Sequence, residues 1–95
     1  MDCKTVRYSR HAIERMFQRS IPPDAIMEVI RLGEVIASYP DDSPYPAVLL
    51  LGFVGGLPVH VLVARDDKTA SCYVVTVYRP DPELWSSDFR IRREP

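Results

Sequence analysis

The spacing of apolar residues changes at Glu34, and the change divides the chain into a helical part and a strand-forming part. Before it, Ala12, Ile13, Met16 and Phe17 recur at i, i+1, i+4 and i+5 behind Ser9, a residue able to cap a helix that starts near Arg10. The spacing predicts a helix with this apolar side turned to a core. At roughly 100° per residue its polar face carries His11, Glu14, Arg15 and Gln18, with Arg19 at the border. The stretch SIPPDAIMEVIRLG predicts a second helix. It has proline at or near N1, Asp24 in the first turn, apolar Ile26, Val29, Ile30 and Leu32, and Gly33 at the C-terminal cap position. The two helices are expected to form a hairpin.

Beyond Glu34, the runs EVIASY, AVLLLGFV, LPVHVLVA and SCYVVTVYR read as strands, separated by the proline-rich PDDSPYP, by Gly55-Gly56 and by RDDKT. Connections this short predict an antiparallel meander. Gly55-Gly56 supplies the two positive-φ positions of a type I′ hairpin turn. Lys4–Tyr8 alternates over too few residues to define a period and stands as an optional edge strand. Near the end, Asp81 and Pro82 open a short helical turn from which Trp85 and Phe89 dock the tail onto the body. The predicted fold class is α+β: an N-terminal two-helix hairpin packed on one face of a four-stranded antiparallel meander sheet, with a short C-terminal helical turn.

Alternation within the last two runs separates two faces. Val59, Val61 and Val63 with Tyr73, Val75 and Val77 make a nearly all-apolar face, which is assigned to the helices. His60, Leu62 and Ala64 with Val74, Thr76 and Tyr78 make the other, so a histidine, a hydroxyl and a phenol share a surface. His60 can exchange protons near neutral pH, and Tyr78 can donate to a developing oxyanion. The competing reading makes His60 a sheet histidine bonded to a carbonyl and Tyr78 a sheet aromatic with its hydroxyl at the rim. His11 and Arg15 lie one turn apart and can reach one anion, or can form a solvated helix face with Glu14 and Gln18. Arg79, before Pro80, can fork onto a phosphate or pair with Asp81 or Asp88. Arg90, Arg92 and Arg93 form a basic tail that is either a phosphate contact or a solvated chain end.

Composition narrows the classes. With 95 residues and no internal repeat or linker, the chain reads as a single domain over residues 1–95. A formal charge of −1 excludes a global basic footprint, so any nucleic-acid contact must come from a local patch. Cys3 and Cys72 lie far apart without a CxxC or matching histidine spacing, which leaves a zinc site or a disulfide without support and suits free thiols in the cytoplasm. His11 and His60 fall in different elements, and no HExxH, P-loop, GxGxxG or Gly-x-Ser-x-Gly is present, so no metal or other cofactor is expected. The apolar runs are too short to cross a bilayer, and Met1–Arg10 lacks a signal-peptide core; a soluble, cytoplasmic protein is expected.

The phrases SRHAIERMFQRSI, GEVIASYPDDSPYP, LLLGFVGGLPVHVLVA and VVTVYRPDPELWSSDFRIRR together resemble the bacterial DUF4258 family, over about Ser9–Arg93. That family is similar to the RelE and BrnT type of small toxins, compact ribonucleases with helices on one face of an antiparallel sheet. Members resembling this chain are often paired with a small zinc-finger antitoxin of the MqsA or YgiT type. The resemblance implies a RelE-like toxin of a type II toxin-antitoxin pair that cleaves RNA on the open face of its sheet. The matching positions are His11, Arg15, Arg19, His60, Thr76 and Tyr78. The chain departs from the usual basic character of such toxins. The expected function is therefore a metal-independent endoribonuclease. His60 would be its base or acid, Tyr78 the partner, His11 a second candidate for the acid, and Arg15 and Arg79 would stabilise phosphoryl charge, with Arg19 and Thr76 as further substrate contacts. The alternative is a non-catalytic module that binds a protein or nucleic acid.

Overall fold

The computed structural model describes residues 1–94. Its elements are β1 (Thr5–Tyr8), α1 (Arg10–Arg19), α2 (Pro23–Leu32), β2 (Glu34–Tyr39), β3 (Ala47–Val54), β4 (Leu57–Asp66) and β5 (Ser71–Tyr78). The helix signals act where the sequence places them. Ser9 Oγ accepts from the Ala12 amide at 2.9 Å, and Pro23 occupies the first turn of α2. Ser20, at φ 53°, ends α1 with its N–H on the Met16 and Phe17 carbonyls. Gly55 and Gly56 take φ of 59° and 81°, as the predicted hairpin turn requires.

The sheet corrects the prediction. It has five strands in the order β1-β5-β4-β3-β2, and it is mixed: β2 to β5 form the expected antiparallel meander, but β1 pairs parallel with β5, Thr5 facing Ser71 and Tyr8 facing Val74. A four-stranded sheet would leave β5 as a bare edge, with a row of unpaired N–H and C=O groups that the N-terminal segment satisfies. Ser9 extends the seam past the strand, its N–H on the Val74 carbonyl and its hydroxyl on that of Val75.

Parallel pairing also brings the two cysteines together. Cys3 and Cys72 form a disulfide across a sequence separation of 69, so the expectation of two free thiols does not hold. Spacing along the chain could not show this, because the partners meet only through the β1–β5 register.

The helices spread over the sheet rather than packing as a tight hairpin: α1 lies against β5, and α2 against β3 and β4. The core joins Ala12, Ile21, Ala25, Ile26, Val29 and Ile30 to Leu50, Val59, Val61, Val63, Cys72, Val74 and Val77 of the sheet. Gly52 permits this approach, since a Cβ there would sit 2.7 Å from Val29 Cγ2. At the edge, α1 meets the sheet through a narrow stripe. Ala12 is fully buried, but Ile13 is 44% and Phe17 83% exposed, contrary to the core-facing role predicted for both. With Tyr8, Met16, Ile21 and Pro22 they line an apolar groove instead.

A β-bulge overturns part of the face assignment. Leu62 faces Thr76 but Val63 faces Val74, so Val75 is an extra residue in β5. The insertion shifts the two-residue period: Cys72 and Val74 join Val77 in the core, and Tyr73 passes to the open face with Thr76 and Tyr78.

The disulfide closes most of the chain into one loop, which restricts the unfolded state and is worth about 2–4 kcal/mol. Reduction should lower the urea midpoint of unfolding accordingly, and a Cys3→Ser variant should show the lower midpoint without reductant. An unchanged midpoint after complete reduction would contradict the pairing.

Candidate functional site

The open face of the sheet carries His60, Leu62 and Ala64 from β4, and Tyr73, Thr76 and Tyr78 from β5. Its two histidine-bearing places differ in character.

His60 is fully buried. Its Nε2 lies 2.9 Å from the Phe89 carbonyl and its Nδ1 3.1 Å from the Tyr78 hydroxyl. A carbonyl can only accept, so Nε2 carries the proton, and Nδ1 of the neutral ring accepts from Tyr78. Trp85 stands edge-on to the imidazole, ring centroids 4.5 Å apart. The C-terminal segment thus straps this end of the face, in a single turn at Asp81 whose carbonyl accepts from Leu84 and Trp85. The basic residues fasten it: Arg90 forks onto the Glu34 carboxylate at 2.8 Å twice, Arg93 Nε donates to the Trp85 carbonyl, and Arg92 lies over the Trp85 ring. The Arg90 hydrogen bonds hold Glu34 below the usual carboxylate range. Burial lowers the proton affinity of His60 below its ordinary value, against the opposing pull of the Phe89 carbonyl. Burial first, then the Tyr39 hydroxyl, raises the pKa of Tyr78, while Arg92 lowers it.

His11 is exposed, and its Nε2 lies 2.9 Å from Thr76 Oγ1. The parallel β1–β5 seam ends at Tyr8 and Val74, so α1 begins beside the free part of β5 and its polar side turns over the sheet edge. Arg15, half-buried on the same side, donates to Gln18 Oε1 at 3.3 Å. Thr76 faces Leu62 and Tyr78 faces His60, so the two histidine pairs occupy neighbouring rungs of the sheet. Along β5 that separation is roughly 7 Å. His11, Thr76, Tyr78 and His60 are therefore brought onto one face. Arg19 and Arg79 are exposed at the end of α1 and just past β5, and neither forms an ion pair among the described residues. Chemically, His11 is placed to exchange a proton with a molecule on the open face, whereas both nitrogens of His60 are engaged beneath the tail.

The pattern of residues did not single out Tyr45 or Tyr73. Their rings stack at 5.4 Å and 10° above a cavity of about 470 Å³ lined by Leu62, Ala64 and Val75. Tyr45 is signalled only as an aromatic between Pro44 and Pro46, and the bulge concealed Tyr73.

A model of the family described as a domain of unknown function, DUF4258, matches residues 8–79. No curated protein and no solved structure matches the chain.

The folded protein holds His60 below the unfolded value of 6.5, so its titration leaves stability unchanged well above that value and erodes stability as pH falls below it. The urea midpoint should fall as pH drops through about 6.5, with a smaller fall in His60→Gln. In ¹⁵N spectra the ring should be the Nε2–H tautomer at neutral pH. A ring that titrates above 6.5 would contradict this environment.

Proposed function

The chain belongs to the DUF4258 family, and on that premise we propose that it is a metal-independent endoribonuclease working on the open face of its sheet. The single observation that carries the reading is the exposed His11–Thr76 pair at the rim of that face, with Arg15 one turn along α1. In the reaction a base takes the ribose 2′-OH proton and the oxygen attacks the adjacent phosphorus. The bond to the 5′ oxygen breaks, and that oxygen receives a proton, leaving a cyclic 2′,3′-phosphate and a 5′-hydroxyl. His11 is the principal proton-transfer group in this reading. Arg15 stabilises phosphoryl charge, with Arg19 and Arg79 as outer contacts. Thr76 orients His11. His60, engaged by Phe89 and Tyr78, becomes a positioning residue for the Tyr78 hydroxyl.

On this reading the protein is a RelE-like toxin of a type II pair, held in check by a zinc-finger antitoxin of the MqsA or YgiT type. It would then work in the cytoplasm, where the Cys3–Cys72 bond of the structure would be open to reduction. No helix among the described residues is long and apolar enough to cross a membrane. A second reading, a non-catalytic binding module, is favoured by the apolar groove at Ile13 and Phe17, a surface of the kind that protein partners cover.

Induced expression in a bacterium, with and without the neighbouring gene, separates the two. The ribonuclease reading expects RNA breakdown relieved by the neighbour, and a folded His11→Asn protein slower by about 10²- to 10⁴-fold on RNA in vitro. Intact RNA with the soluble wild-type protein, or full activity in His11→Asn, would overturn it.

A further inference from the structure

We infer that the cavity walled by Tyr45 and Tyr73 is a nucleobase subsite for single-stranded RNA. The inference deepens the ribonuclease reading and rests on it for the identity of the polymer. The site is distinct from the strapped His60 end of the face. Ala47 faces Ala64 across β3 and β4, and Leu62 and Val75 continue the floor beside them. Two alanines keep that floor low, which leaves depth for a flat ring. The cavity, about 470 Å³, lies within the roughly 300–1,000 Å³ of small-ligand sites.

The wall is aromatic. Near-parallel rings 5.4 Å apart are an offset stack, and both tyrosines are half-exposed, so the pair offers a π surface on which a further planar group can stack. Pro44 and Pro46 flank Tyr45 and restrict its backbone, while Tyr73 is held in β5, so little freedom is lost when a base stacks. Asp42 and Ser43 at the rim supply hydrogen-bonding groups for a base edge.

The subsite also adjoins the proposed chemistry. Leu62, on its floor, faces Thr76, whose hydroxyl holds His11. A base seated over Leu62 would therefore lie beside the rung that carries Thr76 and, through it, His11. Base–aromatic stacking adds affinity beyond phosphate contacts, so a net charge of −1 leaves room for binding at a local site.

The probe is a single-stranded 2′-O-methyl oligoribonucleotide of about six nucleotides, a length within known single-strand sites. It lacks the attacking hydroxyl and reports binding alone. Amide signals of Leu62, Ala64 and Val75 should shift on titration. Tyr45→Leu, checked by its amide spectrum for an intact fold, should bind about 5- to 100-fold more weakly. Tyr45→Phe should bind within about twofold of wild type, because the π face remains. Wild-type affinity in Tyr45→Leu, shifts confined to the Phe17 groove, or no binding at all would overturn the subsite. Tyr45-dependent binding without cleavage of unmodified RNA would support the subsite and defeat the ribonuclease reading. Cleavage by a Tyr45→Leu protein that binds as wild type would do the reverse.

Discussion

In β5, Val75 stands unpaired between Val74, which faces Val63, and Thr76, which faces Leu62. A strand exposes alternate residues to alternate sides, so one extra residue reverses the side of everything before it. Here the reversal buries Cys72 and Val74 against the helices and puts Tyr73 on the open face with Thr76 and Tyr78. The working surface and the core are thus fixed together. Without the bulge, Tyr73 would have to enter a core lined by valines, and Val74 would leave it.

The same place governs the edge of the sheet. β1 covers β5 up to Val74, the disulfide secures the far end of that seam, and Ser9 turns the chain into α1 beside the part of β5 that follows. That is how an exposed helix residue, His11, comes to share a hydrogen bond with a strand residue of the open face. At the opposite end the tail makes a different choice. It trades the exposure of His60 for two satisfied ring nitrogens and an aromatic neighbour, which makes His60 a structural pivot for Tyr78.

Much of this is legible from local pattern. Ser9, Pro23 and Gly55-Gly56 act within a few residues of themselves, and their roles follow from capping and turn chemistry alone. The faces of β4 are legible for the same reason. What is illegible depends on distant partners. The short alternation of Lys4–Tyr8 marks an optional edge strand, but its parallel pairing is set by a bare edge created some sixty residues later; the Cys3–Cys72 bond follows from that pairing. The bulge leaves no mark on the alternation of SCYVVTVY, so Tyr73 reads as core and Val74 as open. Ile13 and Phe17 have the spacing of core residues, but α1 lies at an edge too narrow to cover them. His11 was recognisable as a polar-face residue, whereas its contact with Thr76 required the edge to be known. The polar side of α1 and the alternation of β4 thus point to the open face, but not to which of the two histidines stays exposed.

The register of β4 against β5 decides whether this surface exists as described. Cross-strand nuclear Overhauser effects should link Leu62 with Thr76 and Val63 with Val74, leaving Val75 without a directly facing residue. An uninterrupted ladder that instead pairs Val63 with Val75 and Ala64 with Val74 would contradict it, since it would return Tyr73 to the helix-covered side.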